Sequence, residues 1–145
     1  GAEITYDCLS GNTYEFTLRF YRDCEGITPL NSVPITFSSA SCSQSFTRNA
    51  TKQAGYPIEV SPLCPLQLPN SECNSGGTLP GVQEYVYKVQ VTLPMACRDW
   101  KSGFSEGYRN ATITTIDKPS STYLYVESTL NNVDAPCNNS PDFTN

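Results

Sequence analysis

The chain has 145 residues, 38% of them hydrophobic and 11% aromatic, with nine basic residues against fourteen acidic ones. That length suits one domain with a real core, and a net charge of −5 with no two basic residues adjacent speaks against a nucleic-acid partner, whose phosphates demand clustered positive charge. The sequence contains no histidine, which removes the usual general base, the commonest metal ligand and every histidine-activated nucleophile.

Taken in chain order, short alternating segments follow one another from end to end. Glu3–Leu9 opens the series, and Thr13–Tyr21 alternates cleanly, with Tyr14, Phe16, Leu18 and Phe20 on one face and Glu15, Thr17 and Arg19 on the other. Val33–Ser39, Gln44–Arg48 and Tyr56–Val60 are shorter candidates. Glu84–Leu93 repeats the strong alternation through Tyr85, Tyr87, Val89, Val91 and Leu93, and Ala111–Ile116 and Thr122–Leu130 complete eight predicted strands with no helix. Gly, Pro, Asn and Asp punctuate the gaps, at Ser10–Asn12, Cys24–Pro29, Asn74–Gly81 and Asp117–Ser121. This pattern predicts an all-β, antiparallel two-sheet sandwich of immunoglobulin-like geometry over residues 1–130, with a closed barrel as the competing arrangement. Residues 131–145, "NNVDAPCNNSPDFTN", read as a polar linker or junction.

No apolar stretch approaches the roughly 20 residues needed to span a bilayer, so no membrane insertion is expected, and "GAEITYDC" has neither the basic nor the apolar region of a signal peptide, which places any leader among processed segments. Seven cysteines are dispersed along the chain, at positions 8, 24, 42, 64, 73, 97 and 137, with no C-x-x-C pair. Without histidine or paired spacing they argue against zinc and for disulfides in an oxidising, extracellular compartment. Sequons at Asn49, Asn110 and Asn138 fit that compartment, although an Asn- and Thr-rich chain supplies such triplets by chance.

Strictly alternating strand directions sort the cysteines between the two ends of the sandwich. Cys8 and Cys24 lie at opposite ends of a strand and cannot pair. Continuing the alternation sets Cys42, Cys64 and Cys73 beside Cys8, and Cys97 and Cys137 beside Cys24. On this count Cys64–Cys73 is the favoured bond, Cys8–Cys42 follows by elimination, and one of Cys24, Cys97 and Cys137 is left over; a crossover between sheets would break the count.

Several stretches resemble a known class of module: "GAEITYDCLSGNTYEFTLRFYRDCEG", "EVSPLCPLQLPNSEC", "PGVQEYVYKVQVTLPMACRDW", "YRNATIT", "YVESTLNN" and "DAPCNNSPDFTN". They are similar to the immunoglobulin- or cadherin-like modules of very large secreted surface proteins of Bacteroidetes, of the gliding-motility adhesin type exported by the type IX system. The resemblance implies a cell-surface location and a structural or adhesive role, and it brings no catalytic residues. Such modules often carry a Cys-Cys pair ahead of "RN", where this chain has Gly107 and Tyr108, in keeping with an odd cysteine count. The tail also resembles the calcium-holding linker of cadherins, which makes Asp134, Asn138, Asn139 and Asp142 candidate ligands. Strand counting brings Asp23 and Glu25 to the same end, with Asp99 nearby, and calcium takes six to eight such oxygens.

Trp100, the single tryptophan, is a candidate sugar-stacking residue, although a lone Trp beside a cysteine more often packs against a disulfide. The carboxylate pairs Asp23/Glu25 and Asp99/Glu106 lack the cleft that glycoside hydrolysis needs. The sequence therefore predicts a non-enzymatic structural or adhesion module whose partners are neighbouring modules, copies of itself, surface glycans or other proteins. The alternatives are a filament subunit assembled by strand addition and a carbohydrate-binding module. No cofactor is expected beyond the candidate calcium.

Overall fold

The structure, a computed structural model, describes residues 1–107, 115, 117, 118 and 121–141. Eight strands form among them: β1 (Ala2–Ser10), β2 (Thr13–Asp23), β3 (Ser32–Ser39), β4 (Gln44–Lys52), β5 (Ile58–Glu59), β6 (Val82–Thr92), β7 (Trp100–Glu106) and β8 (Leu124–Leu130), with one 3-10 turn at Leu68–Asn70. All pairings between these strands are antiparallel, in the order β1-β2-β6-β4-β3-β7-β8, with β5 on β6.

One feature of the register shapes the molecule. β2 and β6 pair over eleven residues, from Thr13↔Thr92 to Asp23↔Val82, and β3 and β4 pair over eight, from Ser32↔Thr51 to Ser39↔Gln44. β4 and β6 meet at only two positions, Thr51↔Lys88 and Lys52↔Tyr87. The sheet therefore folds over at that corner. One half, β1-β2-β6, faces the other, β4-β3-β7-β8, and β1 and β8 approach each other across the open side. The result is a barrel-like sandwich.

The period-2 pattern explains which side chains fill it. Ile4, Tyr6, Tyr14, Phe16, Leu18, Tyr85, Tyr87 and Val91 enter from one half, and Val33, Ile35, Phe37, Ala50, Trp100, Phe104 and Leu130 from the other, all buried. Phe16 meets Phe37 edge-on across the interior with ring centres 4.8 Å apart, and Phe20 meets Phe104 at 5.9 Å. Each such ring or aliphatic chain removed from water stabilises the fold by about 1.5–3 kcal/mol before the entropy of ordering it is counted.

Three stretches differ from the sequence reading. Tyr56–Val60 is not a full strand: β5 holds two residues and, being antiparallel to β6, runs in the same direction as β4, so the chain makes no reversal there. β7 was not predicted. Its sequence WKSGFSE points only Trp100, Ser102 and Phe104 inward, and a buried serine and an in-strand glycine hide the apolar alternation. The predicted strand Ala111–Ile116 falls, apart from Thr115, outside the described residues.

Candidate functional site

The C-terminal segment is built into the fold. After β8 the chain turns at Asn131, whose Oδ1 accepts from the backbone N–H of Val133 (3.1 Å) and Asp134 (3.0 Å). The next residue, Asn132, is buried; its Oδ1 accepts from Cys97 N–H at 2.8 Å and its Nδ2 donates to Asn12 Oδ1 at 3.1 Å. It thus joins the β1–β2 hairpin, the β6–β7 loop and the tail. Arg98 then clasps Asp134, Nε to Oδ2 at 3.1 Å, and holds that carboxyl below its usual pKa, with Asn131 adding to the effect. Further along, the tail covers the outer edge of β1. Cys8 N–H donates to Asn139 Oδ1 (2.8 Å), Tyr6 N–H to Ser140 Oγ (2.9 Å), and Ser140 N–H returns to the Tyr6 carbonyl (2.8 Å). Side-chain oxygens here stand in for the carbonyls of a neighbouring strand, satisfying an edge that would otherwise template aggregation. Residues 131–141 are thus packed as an edge cover within the stretch that the sequence reads as a polar linker or junction, and strand addition at Tyr6 and Cys8 would have to displace the chain's own tail.

Disulfides join Cys8 to Cys137, Cys24 to Cys73 and Cys42 to Cys97, and Cys64 is the free, exposed thiol. Neither predicted bond, Cys64–Cys73 or Cys8–Cys42, forms. One physical cause accounts for both errors. Because β5 does not reverse the chain, every direction after β4 is the opposite of that assumed. Cys64 and Cys73 therefore stay at the end with Cys24, whereas Cys97 and Cys137 arrive at the hairpin end with Cys8 and Cys42. Gly81 makes the Cys24–Cys73 bond possible: a Cβ there would lie 2.6 Å from the Cys73 sulfur and 3.1 Å from the Cys24 sulfur.

The same inversion separates the candidate calcium ligands. Asp23 and Glu25 lie at the far end of β2, where Asp23 Oδ1 accepts from Glu25 N–H (3.0 Å). Asp134, Asn138 and Asn139 sit at the hairpin end, a strand length of about 30 Å away. Each of the latter three has a partner: Arg98 for Asp134, the Asn131 and Ala135 carbonyls for Asn138 Nδ2, and Cys8 N–H for Asn139. The five residues are not brought together, and among the described residues no group of three or more acidic or cysteine side chains is placed to hold a metal. Asp142 lies outside the described residues. Asp99 and Glu106 stand just before and at the last residue of β7, so they do not form a pair across a cleft either. Asp99 instead accepts from Ser39 Oγ (2.5 Å), Ser41 Oγ and Ser41 N–H (2.9 Å), which hold its pKa down to about 2.

Trp100 is 2% exposed, donates Nε1–H to the Met95 carbonyl at 3.2 Å and packs edge-on against Phe46. A ring so buried cannot stack on a ligand, which corrects its assignment as a sugar-binding residue. The exposed aromatics are elsewhere. Tyr123 and Tyr125 are 69% and 58% exposed, and the Tyr125 hydroxyl donates to Glu127 Oε2 (2.9 Å) while Lys101 Nζ donates to Glu127 Oε1 (3.0 Å). The sequence signal was present but easily read another way, since Tyr123 and Tyr125 occupy the outward positions of a strand whose inward residues, Leu124, Val126 and Leu130, carry the alternation.

Comparison with protein-family models, with curated proteins and with solved structures finds no match. The three disulfides indicate an oxidising, extracellular-type environment, and no helix among the described residues is long and apolar enough to cross a membrane.

Proposed function

We propose that the chain is a non-catalytic, load-bearing module of an extracellular surface protein of the kind its sequence resembles, acting as a rigid spacer between neighbouring modules. The observation that carries this reading is the bond between Cys8 and Cys137, 129 residues apart. In a chain continuing beyond both ends, tension enters at β1, crosses the disulfide and leaves through the tail. The sandwich between them bears none of it. The strand order supports the same reading: with β5 set aside, the order β1-β2-β6-β4-β3-β7-β8 is compatible with an immunoglobulin-like sandwich whose sheets would be β1-β2-β6 and β4-β3-β7-β8.

Single-molecule stretching of a tandem protein containing this chain tests the proposal. The oxidised module is expected to give no unfolding step, extending only through the residues outside the Cys8–Cys137 loop. C8S/C137S should release on the order of 200 Å, the other two disulfides still shortening the path. A long unfolding step from the oxidised wild type would overturn the reading.

A further inference from the structure

The outer face of β3, β7 and β8 carries a second, independent feature. A shallow groove of about 290 Å³ runs there, lined by Pro34, Thr36, Ser38, Lys101, Gly103, Ser105 and Tyr125. Apart from Pro34 and the bare backbone of Gly103, the lining side chains carry polar groups.

Two glycines in one seven-residue strand and its exit need an explanation, because glycine inside a strand weakens it. The tyrosines supply one. A Cβ built on Gly103 would lie 2.9 Å from the Tyr125 hydroxyl and 3.3 Å from its Cε2, and one on Gly107 would lie 3.3 Å from Cε1 of Tyr123. Each ring rests against a bare backbone on the next strand. Covering glycine alone does not require rings 58% and 69% exposed. The arrangement leaves two large aromatic surfaces in solvent, two residues apart in the chain and so at most about 7 Å between Cα atoms.

The polar groups beside them are already fixed. Glu127 is held from both sides, by Tyr125 and by Lys101. Its carboxylate keeps unused lone pairs and the Lys101 ammonium keeps further N–H donors, while the pair cancels its own charge. Hydroxyls of Thr36, Ser38 and Ser105 stand alongside.

We infer that this face binds a neutral oligosaccharide, with Tyr125 and Tyr123 as stacking platforms and the Glu127–Lys101 pair as the hydrogen-bonding group. A hexose ring presents a C–H face that packs on an aromatic ring and a rim of hydroxyls that needs both donors and acceptors, and the groove offers both in fixed positions at low ordering cost. The absence of net charge selects neutral sugars over acidic ones. This inference does not depend on the load-bearing reading; stretching and sugar binding report separately.

The test is titration calorimetry of the oxidised chain with cellohexaose, laminarihexaose, mannohexaose and chitohexaose, backed by an array that includes sialylated and sulfated glycans. At least one neutral oligosaccharide should bind. Y125A and Y123A should each weaken it roughly ten-fold, and Y125F, which keeps the ring, should stay within about three-fold of wild type. G103A retains every polar group but pushes the Tyr125 ring off its seat, and should weaken binding while the thermal midpoint stays close to wild type. Binding of none of the neutral probes, capture of acidic glycans alone, or undiminished binding by Y123A/Y125A would overturn the inference.

Discussion

Tyr14 is fully buried at the hairpin end, and its hydroxyl is the one buried side-chain polar atom among the described residues without a hydrogen-bond partner. Burial raises its pKa, while the Cys137 backbone N–H lowers it through a contact whose geometry falls short of a full hydrogen bond and so leaves the hydroxyl unsatisfied. An unsatisfied buried hydroxyl costs about 1–3 kcal/mol, so Y14F should stabilise the protein by about 1 kcal/mol in urea denaturation; a loss of stability would show that the hydroxyl is bonded in solution. Asp99 gives the opposite case, a carboxylate satisfied by Ser39 and Ser41. Its folded pKa of about 2 lies below the ordinary 3.8, so its contribution is complete above 3.8 and is lost as pH falls through about 2. The thermal midpoint of wild type should therefore exceed that of D99N at neutral pH, and the gap should close across that window; a gap that persists to lower pH would contradict it. The inward position of Tyr14 was legible from the alternation along Thr13–Tyr21. The serines around Asp99 were not, because the end of β3 and the start of β7 are brought together only by sheet pairing 60 residues apart in sequence.

Among the elements, the tail shows best how polar composition can mislead. Residues rich in Asn, Asp and Pro ordinarily mark solvated linkers, and nothing in "NNVDAPCNNSP" announces that one amide, Asn132, is buried. The reason is that its partners, Cys97 N–H and Asn12 Oδ1, are loop groups that the β6–β7 and β1–β2 connections leave without ladder partners. Replacing Asn132 by Ala strands both. N132A should cost about 2–3 kcal/mol in chemical denaturation, while Asn139→Ala, on the exposed rim with a single bond to Cys8 N–H, should cost at most about 1 kcal/mol. Equal effects would mean that the tail is held by its disulfide alone. β7 was illegible for a related reason. Its inward Ser102 is buried and its Gly103 accommodates Tyr125, so two of its seven residues serve neighbours and leave no apolar period behind.

Across the whole molecule a single missing reversal at β5 decided which cysteines meet. The strong strands β2 and β6 were readable because the apolar side chains each sends into the core alternate along the chain, and that alternation is local. Direction is not local: it depends on whether Ile58–Glu59 turns the chain or merely docks on the first residues of β6, and two paired residues leave almost no imprint on the sequence. The disulfide pattern that results makes a graded prediction. In the chain-entropy description the cost of removing a cross-link grows with the logarithm of the loop it closes. The loops span 129, 49 and 55 residues for Cys8–Cys137, Cys24–Cys73 and Cys42–Cys97, giving about 5, 4 and 4 kcal/mol. Paired Cys→Ser variants measured by urea denaturation should therefore place C8S/C137S as the most destabilised, with the other two close together. The order carries the inference more than the sizes do, because the Cys8–Cys137 bond also holds the edge cover on β1, and its loss frees Tyr6 and Cys8 N–H to water. Native-state alkylation should meanwhile label Cys64 alone. If C8S/C137S proves the mildest of the three, the tail is held by its hydrogen bonds, and tension on the chain would peel it away from β1.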